Sequence, residues 1–101
     1  MTDVTSKHAV HHNQAAHRFE VVVDGQLARA DYRIDGGVMQ MFHTEVPVAF
    51  EGRGIAASLV RAAIEYAREN GFKILPACSY VRVYMRRHPE AQSVLAAKGQ
   101  S

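Results

Sequence analysis

The sequence predicts an α+β domain in which a mixed, mostly antiparallel sheet is flanked by helices. Three observations favour this class: strand-like runs fill the first half, helical periodicity fills the second, and a strand–helix–strand passage joins them. The 101 residues give room for one domain. The share of hydrophobic residues is 48% and that of charged residues 22%, which is ordinary for a folded, water-soluble domain.

The beginning of the chain is polar and lacks an apolar period, so it predicts a disordered tail over residues 1–17. One domain is then expected over residues 18–101. The tail holds four histidines without a second, spaced pair of ligands, and no metal site is therefore predicted.

Neither a signal peptide nor a membrane span is expected. The polar start has no apolar segment, and no run approaches the roughly 18 apolar residues that a spanning helix needs. Cys78 is the single cysteine, which excludes an intrachain disulfide and favours a reducing, cytoplasmic location.

Three strands are expected in residues 18–46, where β-branched and alternating residues are separated by two turn signals. The turns are Asp24-Gly25 and Asp35-Gly36-Gly37, and turns this short imply an antiparallel meander. On the third strand, a period of two predicts one face made of Met39, Met41, His43 and Glu45. The opposite face is then made of Val38, Gln40, Phe42, Thr44 and Val46.

The second half predicts helices around one more strand. Apolar residues recur at helical spacing over residues 54–70, and Asn70-Gly71 is a good stop. A short strand over residues 72–75 can lie parallel to the third strand through a right-handed crossover. Ser79 is a suitable N-cap for a helix over residues 80–87, and residues 90–98 can form a last short helix.

The segment between the third strand and the long helix carries the most chemical information. Its turn contains Gly52 and Gly54, and the helix N-terminus that follows offers unpaired N–H groups and a positive dipole to an anion. A diphosphate is an anion that suits such a site, and the guanidinium of Arg53 can add a charge-assisted hydrogen bond to its phosphates. An ordinary glycine turn before a helix is the alternative, and the segment fits neither the P-loop nor the dinucleotide fingerprint.

The same turn resembles the acetyl-CoA signature of the GNAT acetyltransferases, Arg/Gln-x-x-Gly-x-Gly/Ala. Gly54 and Ala56 match its last two positions, whereas Glu51 stands where the pattern has Arg or Gln. A wider string resembles the small, stand-alone GNAT-like N-acetyltransferase family sometimes called the YjdJ type, over residues 18–98. That string is made of His43-Thr44-Glu45-Val46-Pro47, Gly52-Arg53-Gly54-Ile55-Ala56, Pro76-Ala77-Cys78-Ser79-Tyr80-Val81, Tyr84 and Arg87-His88-Pro89-Glu90.

This resemblance implies a GNAT-like sheet opened into a V, with acetyl-CoA as the co-substrate in the slot. It implies that the diphosphate lies on the amides of the glycine turn, and that the pantetheine arm pairs with the edge of the third strand. The implied cofactor-binding residues are Val46, Val48, Glu51, Gly52, Arg53, Gly54, Ile55 and Ala56. Arg82, Arg86, Arg87 and His88 either meet the 3′-phosphate of CoA or form a solvated face.

Four residues are candidates for catalysis. His43 or Glu45 can accept the proton of the amine, the alternative being a core histidine and a surface carboxylate. Cys78 precedes a helix start that favours a thiolate, so it can accept an acetyl group, unless it is a small buried apolar residue. The resemblance implies that Tyr84 protonates the leaving thiolate, and packing is its alternative.

The predicted function is therefore acetyl-CoA-dependent transfer of an acetyl group to an unidentified amine of a small molecule or a protein. A CoA-binding module with little catalysis, acting through a protein partner, is the second hypothesis. The third is a small nucleic-acid binder, since residues 71–101 carry five basic residues against one acidic residue. No platform of interleaved aromatic and basic residues supports it, so neither nucleic acid nor membrane is predicted as a partner.

Overall fold

A computed structural model describes residues 9–96, which form a sheet and two α-helices. The elements in chain order are β1 (His11–Asn13), β2 (Arg18–Val23), β3 (Gln26–Asp35), β4 (Val38–Glu45), a 3₁₀ turn (Val48–Phe50), α1 (Ile55–Asn70), β5 (Lys73–Pro76), α2 (Ser79–Arg87) and a second 3₁₀ segment (Pro89–Val94).

The sheet has the spatial order β1-β2-β3-β4-β5, so each strand pairs with its neighbour in sequence. The pairs along β1 to β4 are antiparallel, whereas β4 and β5 are parallel with α1 between them. Asp24 and Gly25 both have positive φ, 50° and 75°, as a tight hairpin turn requires. The expected mixed, mostly antiparallel sheet is confirmed.

The helices cover a single face of the sheet. Every strand residue that is fully buried lies on this face, namely Phe19, Val21, Ala28, Ala30, Tyr32, Met39, Met41 and Ile74. They form one core with the inward sides of α1 and α2. The alternate residues of β2, β3 and β4 are at least partly exposed, so the described chain is a two-layer structure with one open sheet face, called here the outer face.

A β-bulge interrupts β4. Tyr32 of β3 pairs with Met41, but the preceding residue Asp31 pairs with His43. Phe42 is therefore an extra residue without a partner on β3.

The bulge changes which side chains of β4 face the helices. Beyond it, Thr44 lies on the helix face with Met41, and His43 and Glu45 lie on the outer face. The predicted face that joined His43 and Glu45 to Met41 is thus wrong, because a period of two does not continue through an inserted residue.

The disordered tail expected over residues 1–17 is wrong for residues 11–13, which form β1 on the edge of β2. His12 holds this strand, because its ring stacks on Phe19 at 4.1 Å and its Nε2 lies 2.6 Å from the hydroxyl of Tyr32. Residues 1–8 and 97–101 lie outside the described part of the chain, so the ends of the predicted tail and of the last helix are not tested.

Helix α1 agrees with its prediction and ends at Gly71, whose φ of 75° closes the helix in the left-handed conformation. Two smaller expectations are wrong. The N-cap of α2 is Cys78 rather than Ser79, which is already helical. The last segment is a 3₁₀ helix, Pro89–Val94, and Leu95 then pairs with Ile74 along the free edge of β5.

Candidate active site

The strands β4 and β5 part at the bulge. Their pairing ends where Met41 meets Pro76, and the N–H of Cys78 then donates to the carbonyl of Met41 at 2.9 Å. The chain next turns into α2, so no strand within residues 9–96 lies beside residues 42–45 of β4 on that edge. This leaves a gap between β4 and β5 beyond Met41, and the start of α2 borders it.

A cleft of about 380 Å³ lies against this gap, on the helix face of the sheet. Strand β4, the turn before α1, the first turn of α1 and the start of α2 form its walls. The residues that line it are Thr44, Val46, Phe50, Glu51, Gly52, Gly54, Ile55, Ala56, Ala57 and Tyr80.

Two glycines shape the floor of the cleft. Gly52 and Gly54 have φ values of 84° and 80°, which residues with a Cβ rarely adopt. A Cβ built at either position would meet no protein atom within 4 Å. The left-handed backbone, rather than lack of space within the protein, is therefore the reason for glycine at both positions.

The N-terminus of α1 points an uncapped set of amides at this floor. No side chain caps the helix, and its first turn contains no acidic residue. The first intrahelical bond is donated by the N–H of Ser58 to the carbonyl of Gly54 at 3.0 Å. The preceding amides, those of Ile55, Ala56 and Ala57, have no acceptor in the helix and favour an anionic group.

Six of the eight predicted cofactor-binding residues line the cleft: Val46, Glu51, Gly52, Gly54, Ile55 and Ala56. The other two lie outside it. Val48 is 82% exposed on the 3₁₀ turn, and the guanidinium of Arg53 lies 5.2 Å from the ring centre of Phe50. Glu51 brings a carboxylate to the cleft, which opposes an anionic ligand at short range.

Cys78 does not line the cleft itself, but its sulfur contacts Thr44, which does. Its Sγ–H donates to the Thr44 hydroxyl at 3.6 Å. Burial raises the pKa of the Cys78 thiol, but the N–H groups of Val81 and Tyr80 and the Thr44 hydroxyl outweigh it and lower the pKa below its usual value. The sulfur accepts no well-aligned capping hydrogen bond from the N–H groups of the helix, so these amides stabilise the thiolate by electrostatic attraction.

The structure separates the two tyrosines of α2. Tyr84 is 7% exposed and stacks on His88 at 3.8 Å, away from the cleft, as the packing alternative implies. Tyr80 is 39% exposed and lines the cleft. Burial, and to a smaller extent Tyr84, raise the pKa of Tyr80 above its usual value, so its hydroxyl keeps its proton at neutral pH.

His43 and Glu45 face the opposite side of the sheet. Their side chains form a pair, with Nε2 of His43 at 3.1 Å from Oε1 of Glu45, and Arg29 approaches the same oxygen at 3.2 Å. The hydrogen bond from His43, followed by the charge of Arg29, lowers the pKa of the Glu45 carboxyl. Neither residue lines the cleft, but both lie on the part of β4 that continues beyond its pairing with β5.

Sequence reasoning missed Thr44 and Tyr80. Thr44 was placed on the wrong face because the bulge is not visible in the alternation of polar and apolar residues. Tyr80 lies in the first turn of α2, two residues after the N-cap Cys78, and this proximity to the gap is the signal that could have selected it over Tyr84.

Within residues 9–96, no group of three or more His, Cys, Asp or Glu side chains is placed to hold a metal ion. Within the same range, none of the helices is both long enough and apolar enough to cross a bilayer.

Comparisons with known proteins identify relatives of the chain in sequence and in fold. A sequence model of the family described as GCN5-related N-acetyl-transferase matches residues 18–94. Protein NATD1 of Xenopus tropicalis is 34% identical over 94 residues, which cover 89% of this chain and 85% of that protein. Protein NATD1 of Mus musculus is 33% identical over 87 residues, covering 82% and 78%. The NMR structure of a GCN5-like protein from Staphylococcus aureus matches with a TM-score of 0.68, at 26% identity and 91% coverage of each chain.

Proposed function

Because the chain belongs to the GCN5-related N-acetyltransferase family, we propose that it transfers an acetyl group from acetyl-CoA to an amine. The observation that carries the proposal is the cleft at the junction of β4 and α1. The turn that resembles the acetyl-CoA signature forms its floor there, and the uncapped amides of α1 face it.

In this proposal the diphosphate of acetyl-CoA accepts hydrogen bonds from the amides of Ile55, Ala56 and Ala57. The pantetheine arm lies along the free edge of β4, and the thioester reaches the end of the cleft where Thr44 and Tyr80 meet. The N–H of Val46, just beyond the last paired residue of β4, is the candidate donor to the carbonyl oxygen as negative charge develops on it.

The amine approaches from the outer face, through the gap between β4 and β5. A lysine amine has an ordinary pKa near 10.4, so a neighbouring group has to take its proton at neutral pH. We assign this role to His43: in the tautomer that donates from Nε2 to Glu45, Nδ1 is left as an acceptor. The lowered pKa of Glu45 makes its carboxylate a weak base, which suits it to orient the imidazole instead.

The sulfur of CoA, which leaves as a thiolate, also needs a proton. As the amine nitrogen bonds to the carbonyl carbon and the carbon–sulfur bond breaks, the Tyr80 hydroxyl donates its proton to the leaving thiolate. The proton that the nitrogen loses on becoming an amide restores the Tyr80 hydroxyl. Tyr80 takes this role from Tyr84 because it lines the cleft while Tyr84 is packed on His88.

A two-step route through Cys78 is the alternative within the same function. Its thiolate would attack the thioester, carry the acetyl group and pass it to the amine. The lowered pKa of Cys78 and its contact with Thr44 support this route, and a free thiol suits a reducing compartment such as the cytoplasm.

A CoA-binding module with little catalysis is the second candidate function. The exposure of the His43–Glu45 pair favours it, because water can reach these candidate catalytic groups freely, and Glu51 departs from the Arg or Gln of the acetyl-CoA signature. Both functions share the cleft, so binding alone does not separate them.

The test combines calorimetric titration with acetyl-CoA and a thiol-release assay over a panel of amines. We expect saturable binding, and acetyl transfer that falls about a hundredfold in Tyr80→Phe. Tyr84→Phe is the matched control on the same helix and should keep its rate. Binding without CoA release above buffer on every amine would select the module; equal rates for the two tyrosine variants would remove Tyr80 from the mechanism.

Mass spectrometry separates the one-step and two-step routes. After mixing with acetyl-CoA and no amine, the two-step route predicts a mass increase of one acetyl group on Cys78. The same adduct must be absent from Cys78→Ala, and unchanged turnover in that variant would exclude the covalent route.

A further inference from the structure

The outer face carries a shallow depression of about 480 Å³ that the reaction described above does not use. Three arginines dominate its lining. We call it the arginine recess, and it is formed by His17, Arg18, Arg29, Asp31, Arg33 and Phe42.

The three arginines differ in the ion pairs that their guanidinium groups already form. Arg18 forms an ion pair with Glu20. Arg29 contacts Asp31 at 3.0 Å and Glu45 at 3.2 Å.

Arg33 is the exception. Its guanidinium lies 4.7 Å from the ring centre of Phe42, and no carboxylate of residues 9–96 forms an ion pair with it. Stacking on an aromatic ring holds the guanidinium flat and leaves its N–H donors at the edge. The recess therefore holds a preoriented cation whose natural partner is a carboxylate.

The recess lies beside the mouth of the gap. Phe42 belongs to its wall and is the first residue of β4 beyond the pairing with β5. Arg18 lies two strands away on β2, which at the usual strand spacing is about 10 Å from β4. An extended peptide covers that distance with about three residues.

The openness of the outer face indicates which kind of molecule can contact both the gap and the arginine recess. The helices pack on the other face, so the outer face beside the gap is open to a long, extended molecule. An extended polypeptide can lie across the strands, with an amine at the gap and a second side chain in the recess.

We propose that the acceptor is a lysine of a polypeptide that carries acidic residues about two to four positions away, and that the arginine recess binds these acidic side chains. The inference rests on the proposed function for the fate of the lysine. The binding of the acidic segment does not depend on catalysis.

The experiment measures binding by fluorescence anisotropy with the full chain and without acetyl-CoA. Three labelled peptides share one central lysine and differ only in the flanking residues at positions two to four on each side, which are glutamate, glutamine or lysine. We expect the acidic peptide to bind most tightly. Arg33→Gln should weaken it about two- to fivefold, since the lost contact is an exposed ion pair.

Arg68→Gln is the matched control, because Arg68 is an exposed arginine of α1 on the helix side of the molecule. It should bind the acidic peptide as the unaltered chain does. Equal affinity for all three peptides, or an unchanged affinity in Arg33→Gln, overturns the proposal. Added salt should weaken the acidic peptide more than the neutral one.

Acetylation of the same peptides separates this proposal from the proposed function. If the acidic peptide binds as expected but no peptide is acetylated, the enzyme function fails and the recess stands as a polypeptide-binding site. If free amines and all peptides are acetylated at equal rates, the enzyme function stands and the arginine recess does not select the acceptor.

Discussion

At the scale of single residues, Thr44 connects the cleft to Cys78. Thr44 lines the cleft, and its hydroxyl accepts a hydrogen bond from the Cys78 thiol at 3.6 Å. When the thiol loses its proton, the same hydroxyl can turn to donate to the thiolate, which stabilises the charged form.

Replacing Thr44 by Val should therefore raise the pKa of Cys78 toward its usual value. Less thiolate would be present at neutral pH, and alkylation by iodoacetamide near pH 7 should slow about threefold to tenfold. The pH profile of the alkylation rate measures this directly. Thr44→Ser keeps the hydroxyl and should keep the profile; a Val variant with an unshifted profile would show that Thr44 does not act on the thiol.

Glu51 offers a second test on one residue. Because its carboxylate lines the cleft that we assign to the diphosphate, Glu51→Gln should bind acetyl-CoA about two- to fivefold more tightly. Calorimetry at low and high salt measures the change, which should shrink as salt screens the charge. Weaker binding in the Gln variant would place the diphosphate away from Glu51.

At the scale of elements, the bulge in β4 decides what reaches the cleft. Sequence periodicity predicted β2, β3 and α1 well, because their apolar residues repeat at strand or helix spacing and clear stops follow them. It could not reveal the extra residue at Phe42: the four residues after Met41 alternate too weakly in polarity to mark a change of face. The placement of Thr44, His43 and Glu45 therefore needed the pairing with β3.

Alanine substitutions at two glycines that share a left-handed backbone should differ in their effect on acetyl-CoA binding. Gly54 and Gly71 have φ values of 80° and 75°, so alanine at either position should cost about 1–2 kcal/mol of stability. Only Gly54 lines the cleft. Urea unfolding should show similar losses, while calorimetry should show weaker acetyl-CoA binding in Gly54→Ala alone; equal affinities would separate the turn before α1 from the ligand.

At the scale of the whole molecule, the short strand β1 closes the far edge of the sheet. Its three residues are too few and too polar to produce a strand pattern, which is why the sequence indicated a tail. The ring of His12 is what holds it, packed against Phe19, Tyr32 and Tyr66.

This edge should make the fold sensitive to mild acid. Burial, and to a smaller extent the charge of His11, lower the pKa of His12 below 6.5. The unfolded chain then binds the proton more readily, so stability is full above about pH 6.5 and falls as the pH drops toward the lowered value.

Urea unfolding at pH 7.5 and 5.5 measures the effect. The unaltered chain should lose stability between the two values, and His12→Gln should lose less although it starts lower, by about 1 kcal/mol, because it lacks the stacked ring. His17→Asn is the control: it removes an exposed histidine, and asparagine tolerates the positive φ of this position. The same pH dependence in all three chains would show that His12 does not carry it.

The account as a whole depends on the anchoring of acetyl-CoA at the start of α1, and a ¹⁵N-resolved NMR titration with acetyl-CoA tests this most directly. We expect saturable shifts of the amide signals of Gly52, Gly54, Ile55, Ala56 and Ala57, larger than those on the outer face. If these five signals stay in place at a large excess of acetyl-CoA, the cleft does not bind the coenzyme and the proposed acetyl transfer loses its site.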